Sequence, residues 1–367
     1  MNTPAPPALT IRSLRLVPVE VPMTFALGTS ADVIRLAPLL LIDLETEEGV
    51  TGRAYLFCYR RSGARAIIEV LQDAFALVKG QRAAPLEIAA LLGRRFALIG
   101  VTGIVRMALS GLDAALWDAV AHAAGLPLAQ LLGSASKPVR AYNSSGLGLI
   151  GADAAAEEAI KLLEGGFKAV KLRLGYATLE EDLAVARAVR RRLPDEIAVM
   201  VDYNQALSVA EALRRGRVLE SEGLFWLEEP IRHDDYVGSA TIARELSLPV
   251  QIGENFDGPK AMADALAAGA CDSVMPDLGR IGGVTGWMQA AGIAAARGIE
   301  MSSHLFPEVS SHLLAATPTC GWLEYVDWAI PILQEPLAIK DGYAVVSATP
   351  GSGLAWDEQA VERYRME

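Results

Sequence analysis

Three acidic residues, Asp202, Glu228 and Glu254, each close a short apolar run: IAVMVD, LFWLE and PVQIGE. If those runs are parallel strands of one barrel, their carboxylates meet at one mouth, where like charges in a low-dielectric setting repel. A hard divalent cation resolves that conflict. Three oxygen ligands, with coordination positions left for water and substrate, suit Mg2+. One such acid alone reads as a helix cap; three in one repeat read as a metal site. Asp277 and His304 end two further runs, SVMPD and IEMSSH. A carboxylate on one imidazole nitrogen fixes the tautomer and raises the basicity of the other, which makes a general base. The other histidines read more plainly: His122 in a helix, His233 in a loop, and His312 as a packing residue in the helical SSHLLAA.

Lys171 and Arg173 stand two apart in KAVKLRL and so share a face. Two cations in a barrel mouth call for an anion, either a substrate carboxylate or the metal-ligand acids. For Lys171, an ion pair with Asp202 would also serve. Glu324 ends the run WLEYV. A carboxylic acid kept protonated there would donate a hydrogen bond to a developing enolate; a salt bridge with Lys171 or Arg280 is the plainer alternative. IGGVTGW, from Ile281 to Trp287, lacks the spacing of a dinucleotide loop and the lysine of a P-loop, and reads as a tight turn into a helix.

The elements that must position these residues follow a rhythm. From VRAYN onward, eight short apolar strands alternate with helical segments such as LEEDLAVARAVRRRL and VTGWMQAAGIAAARG. That repeat is the pattern of a (β/α) barrel with buried parallel strands. Before it come strand-like runs (LTIRSLRLVPVEVP, LAPLLLIDLET, GVTGRAYLF) with a turn at EEG, then helices, the longest ending at Gly125. Strands in one block and helices in the next predict an α+β domain. The expected division is an α+β capping domain over 1–137, a barrel over 138–325 and a segment over 326–367 that returns to the cap, GYAVVSATP supplying a returning strand.

The chain has 367 residues, which fits two domains. A net charge of −11 argues against nucleic acid as a partner, since nothing would neutralise phosphates. Only three cysteines occur, Cys58, Cys271 and Cys320, with no metal-ligand spacing. MNTPAPPALT has no signal-peptide pattern and no apolar run is long enough to span a bilayer, so a cytoplasmic protein without membrane partners is expected.

The strings MVDYNQ, WLEEP, IGEN, MPDLGRIGGVTGW, MSSHLF and HLLAATPT, in this order, resemble the mandelate racemase subgroup of the enolase superfamily (the mandelate racemase/muconate lactonizing enzyme family). The resemblance covers nearly the whole chain. It implies a modified (β/α)7β TIM-like barrel with an N-terminal α+β capping domain, and Mg2+ on Asp202, Glu228 and Glu254. It implies a His304–Asp277 base and Glu324 as the acid on a substrate carboxylate oxygen. Asn204 and Ser144 match positions near the substrate's α-substituent and carboxylate, and Tyr59 matches a cap residue that approaches the site. A homo-oligomer, an octamer by resemblance, is expected. Two departures stand out. The family's Lys-x-Lys reads Lys171-Leu172-Arg173, and arginine is a poor proton acceptor but a good bidentate anion clamp. The capping loop PMTFALGTSADVIRLAP is longer than the racemase's and brings Phe25, Asp32 and Arg35. The leading expectation is removal of the α-proton of a small carboxylate to give a metal-stabilised enediolate, with racemisation of a 2-hydroxy acid. The alternatives are dehydration of an acid sugar with His304 as sole base, for which Asp32 and Arg35 would suit a polyol, and a non-catalytic metal-binding paralogue. An intact Asp277–His304–Glu324 set speaks against the last.

Overall fold

The computed structural model describes residues 8–28 and 33–366; Asp32 lies outside them. Strands β1 (Ile11–Gly28), β2 (Val33–Thr46) and β3 (Thr51–Phe57) form an antiparallel sheet in the order β1-β2-β3. The turn between β2 and β3 is closed by Thr46 N–H donating to Val50 O at 2.9 Å. β2 is buried from Ala37 to Leu44, as its LLLI run demands. Helices α1 (Arg61–Val78), α2 (Pro85–Arg95) and α3 (Gly103–Ala124) follow, with α3 packed on β3 and β2. That packing is close: a Cβ at Gly52 would stand 2.0 Å from Ala115 O. Gly125 ends α3 in a left-handed conformation, φ 66°.

The second unit is a barrel of parallel strands: β4 (Val139–Asn143), β5 (Ala169–Arg173), β6 (Ala198–Asp202), β7 (Leu227–Glu228), β8 (Val250–Ile252), β9 (Ser273–Val274), β10 (Glu300–Met301) and β11 (Leu323–Tyr325). Helices separate successive strands and none follows β11 directly, which gives the (β/α)7β form. β11 pairs with β4, and Gly321 N–H to Met301 O (2.8 Å) and Ser303 N–H to Trp322 O (2.9 Å) close the ring against β10. Most barrel-strand residues are apolar and buried, with Lys171 and Gln251 as buried polar exceptions, and Arg173, Asp202 and Glu228 close β5, β6 and β7.

The tail departs from expectation in one respect. The strand in GYAVV does not reach the cap: β12 (Ile339–Lys340) and β13 (Tyr343–Ala344) form a hairpin that pairs antiparallel with β4. The return to the cap is made farther on. Glu358 bonds Arg15 at 2.6 Å, Tyr364 O accepts from Glu20 N–H at 2.8 Å, and Met366 N–H donates to Pro18 O at 2.9 Å. Among the described residues no helix is long and apolar enough to cross a membrane.

His312 packs as its sequence context suggests and has a measurable consequence. Its Nδ1 accepts Ala129 N–H at 3.1 Å in a fully buried setting, and burial pushes its pKa down to about 4. The unfolded chain therefore binds the proton first as pH falls. Stability carried by neutral His312 is present above its unfolded value and is lost between about pH 6.5 and 4, by up to about 3 kcal/mol. His312→Asn, which keeps an acceptor for Ala129, should flatten that part of the stability–pH curve in urea titrations. A wild-type and a variant curve of equal slope would refute the assignment.

Candidate metal and proton-transfer site

The alternation of strand and helix places Asp202 and Glu228 at the last positions of β6 and β7, paired in register. Glu254 follows β8 beyond Gly253. One oxygen from each of the three carboxylates lies within 4.8 Å of the others. Burial raises Glu228, Lys171 pulls it back, and Asp202, Glu324 and Glu254 push it up again, leaving it at about 8. One ammonium, that of Lys171, does not balance Asp202, Glu228, Glu254 and Glu324, and a divalent cation would offset more of their charge. The donors are all hard carboxylate oxygens, and each ligand is oriented by its own neighbour. Asn204 donates from its backbone (2.7 Å) and side chain (2.9 Å) to Asp202. Trp226 Nε1 donates to Glu228 at 3.0 Å, and Asn255 Nδ2 to Glu254 at 3.2 Å. Oriented oxygen ligands of this kind fit Mg2+.

Lys171 sits among the acids. Its ammonium bonds Glu228, reaches Glu324 at 2.7 Å and Asp202 at 3.4 Å, and lies over the Tyr142 ring. Burial disfavours the charge, but the carboxylates outweigh it and hold Lys171 well above the ordinary lysine range. Glu324 is the converse: burial favours the neutral acid, yet Lys171 and His304 hold it down at about 2. The geometry is that of the plainer reading, a salt bridge with Lys171. Arg280, the other partner considered for Glu324, instead lies over the Tyr59 ring at 5.0 Å.

The dyad forms. His304 Nδ1 is 2.7 Å from Asp277 Oδ2, while Asp277 Oδ1 accepts the Arg280 N–H at 3.0 Å and so caps a short helix. That leaves His304 Nε2 as the free nitrogen, 3.4 Å from Glu254 and 3.8 Å from Glu324. Burial lowers the His304 pKa, but Glu254, Glu324 and the bond to Asp277 more than offset this and raise it to about 9.

Lys171, Arg173, Asp202, Asn204, Glu254, His304 and Glu324 line one cavity of about 280 Å3. Tyr59 lines it from the cap side, with Leu27, Ile34, Phe57 and Trp328. Phe57 lies between Tyr59 (4.5 Å) and Trp328 (4.8 Å) with its ring tilted to both, so this wall is mostly apolar, and Arg60 adds a charge beside it. Ser144 does not line the cavity. It sits behind Arg173, whose guanidinium donates to Gly146 O (2.6 Å), Ser144 Oγ (3.1 Å) and Ser144 O (3.4 Å). Among the described residues no carboxylate is paired with Arg173, which is 4% exposed with its Nε unpartnered. Arg35 does not line the cavity either. Side chains alternate along β2, so Ile34 facing in turns Arg35 out to solvent. Phe25 falls in a bulge where β1 carries Met23–Ala26 against Arg35 alone, and it packs on Gly146. Neither lines the cavity, so Arg35 is not placed there to meet a polyol.

Sequence reasoning passed over Trp226, Glu229, Asn255 and the apolar wall. Trp226 had a signal: it stands two before Glu228 in the run LFWLE, the spacing that puts two side chains of an extended segment on one face. Burial, with Glu254, Asp202 and Glu228 adding to it, holds the Glu229 carboxyl well above its usual range.

Residues 11–133 match the mandelate racemase/muconate lactonizing enzyme N-terminal domain family, and residues 154–360 match the enolase C-terminal domain-like family. The chain is 32% identical to L-talarate/galactarate dehydratase of Salmonella typhimurium, over 95% of this chain and 88% of that one. The solved structure of an enolase from alpha pretobacterium bal199 with bound magnesium is 45% identical, with a TM-score of 0.95 over 98% of this chain and 100% of that one. An enolase from Bradyrhizobium complexed with magnesium and mandelic acid is 39% identical, with a TM-score of 0.94 over the whole of both chains.

Proposed function

This chain belongs to the mandelate racemase/muconate lactonizing enzyme family of the enolase superfamily, and from that premise we propose that it dehydrates a 2,3-dihydroxy acid of the acid-sugar type, with His304 as its only base. The coarser description is that of a magnesium-dependent catalyst working on a carboxylate substrate. One observation carries the finer reading. The dyad offers a single free imidazole nitrogen, and the other candidate base is a guanidinium. Racemisation, the leading expectation from sequence, needs proton transfer on both faces of the α-carbon. Arginine stays protonated at ordinary pH. Dehydration needs one base used twice, and the similarity to a talarate/galactarate dehydratase supports it.

When bound, Mg2+ supplies positive charge that makes the substrate's α-proton more acidic. The chain's residues do the rest. Lys171 faces the carboxylate end, and Glu324 holds the Lys171 ammonium in place. Asn204 Oδ1, a buried acceptor without a partner, takes a substrate hydroxyl. His304 Nε2 takes the C2 proton as the C–H electron pair becomes the enolate. The C3–O bond then breaks, the same proton leaves with the hydroxide as water, and the enol product tautomerises to a 2-oxo-3-deoxy acid. Arg173 clamps an anionic group of the substrate through donors preset by Ser144 and Gly146.

Incubation with a panel of aldonic and aldaric acids in deuterium oxide, followed by NMR, tests this. The expected result is a 2-oxo-3-deoxy acid from a substrate whose exchange occurs from one configuration at C2 only. Equal exchange from both epimers without dehydration would overturn it. Arg173→Gln should raise KM by about 10- to 100-fold, the loss of one hydrogen bond to a charged group, and leave one-sided exchange in place. An unchanged KM would remove Arg173 from substrate binding. A second reading keeps one-sided enolisation but with a 2-hydroxy acid bearing an apolar tail. The apolar wall of Leu27, Ile34, Phe57 and Trp328 favours it, as does the mandelic acid in the Bradyrhizobium structure.

A further inference from the structure

A fourth carboxyl group lies beside the three that would hold the metal. The fourth, Glu229, directly follows the ligand Glu228 and is 1% exposed. Its backbone is left-handed, φ 34°, and is pinned on both sides: its N–H donates to Gln251 O at 3.1 Å and its O accepts from Gln205 N–H at 2.8 Å. A non-glycine residue held there is strained, and such strain persists only where the surroundings impose it. In this conformation the side chain meets Asn255, whose Nδ2 lies 2.9 and 3.2 Å from the two carboxyl oxygens. The same Nδ2 lies 3.2 Å from Glu254 Oε1.

Glu254 is the ligand with the least support. It follows a glycine outside the strand and its side chain is 17% exposed, against 1% or less for Asp202 and Glu228. Its second oxygen, Oε2, faces His304 Nε2 at 3.4 Å. The carboxylate thus has two claimants, the Asn255 amide on one side and the imidazole on the other. An amide can present either its N–H or its C=O end to a neighbour. With Nδ2 within hydrogen-bond distance of both Glu229 and Glu254, the N–H end serves the two acids at once, whereas the C=O end would set oxygen against Glu254 Oε1.

We infer that Asn255, oriented by Glu229, is a positioning residue that keeps Glu254 turned to the metal and off the general base. It touches neither the metal nor the reacting carbon; it acts through Glu254. The inference rests on the metal assignment and not on which reaction follows proton removal. Its signature is selective. Mg2+ demands near-ideal octahedral geometry, whereas Ca2+ accepts irregular shells at longer distances. A Glu254 free to swing therefore harms Mg2+ binding more than Ca2+ binding.

The experiment is calorimetric titration of chelator-treated, substrate-free protein with MgCl2 and, separately, CaCl2. Asn255→Ala should weaken Mg2+ by about 10- to 100-fold, the usual effect of losing a group that orients a ligand, and Ca2+ by less than about 5-fold. Glu229→Gln keeps an acceptor oxygen and should fall between wild type and Asn255→Ala. Melting in EDTA monitors the fold, and Asn255→Ser provides the same comparison if the alanine variant does not fold. Mg2+ affinity within twofold of wild type in the Asn255 variant overturns the inference. So does an equal loss for both cations, which is the mark of general loosening. A Glu229→Gln effect larger than that of Asn255→Ala would mean that Glu229 acts by charge, and also overturns it. Failure of the wild-type protein to bind Mg2+ would instead strike at the metal site itself.

Discussion

His304→Asn is expected to abolish α-proton exchange and turnover together, by about 10²- to 10⁴-fold, the range for a positioned general base. His304 Nδ1 is committed to Asp277 at 2.7 Å, so Nε2 is the nitrogen that moves the proton. Asparagine preserves a donor toward Asp277 and removes that nitrogen. Exchange is the sharper measurement, because it reports proton removal whatever follows. The same variant should still bind Mg2+, since the three ligands are elsewhere. Exchange near the wild-type rate would show that another group is the base, and Lys171 or Arg173 would then have to be it. Asp277→Asn gives a graded control. It leaves the imidazole in place but offers it an amide that can turn either end toward Nδ1, so a smaller loss is expected than for His304→Asn.

Removing a metal ligand should be as damaging by a different route. Glu228→Gln takes one of three carboxylates from the cluster and leaves its shape nearly intact. Mg2+ affinity should fall by at least about 100-fold, more than for groups that merely orient a ligand, and activity should vanish at ordinary Mg2+. Thermal melting supplies a second reading. At 100 times Kd, Mg2+ stabilises the wild-type fold by about 2.7 kcal/mol and should raise Tm by a few degrees; the variant should show no rise at the same concentration. Full activity of the wild-type protein in excess chelator would sink the metal role outright.

The contrast between what could and could not be foreseen from sequence is physical. Asp202, Glu228, Glu254, Asp277 and His304 were legible because strand ends in a parallel barrel share one mouth, so position along the repeat converts directly to position in space. Lys171 was legible as a cation among acids and as one of two partners for Glu324, but the choice between Lys171 and Arg280 was not, because it depends on a distance of 2.7 Å that no spacing rule predicts. Arg35 and Phe25 lie where the register of the cap ribbon changes, and Arg35 turns out beside the inward-facing Ile34. The bulge that sets Met23–Ala26 against Arg35 shifts the register of the cap ribbon, and a register shift decides which side chains face inward. The apolar wall escaped notice because Leu27, Ile34, Phe57 and Trp328 come from distant parts of the chain and look like any core residues. The return of the tail to the cap was expected from a strand and is made by residues around Glu358 and Tyr364, since a two-residue strand pairs where the nearest open edge lies, on β4.

Lys171 bears on the order in which the molecule comes into being. Many small metalloproteins cannot fold without their ion, because the liganding groups would be stranded in an apolar interior. Here the interior acids Asp202, Glu228 and Glu324 already have a tethered ammonium among them. The chain carries its own counter-ion on β5, so the barrel is expected to close without magnesium, and a cooperative melting transition in EDTA would check this. Metallation would then be an exchange of partners within a finished protein.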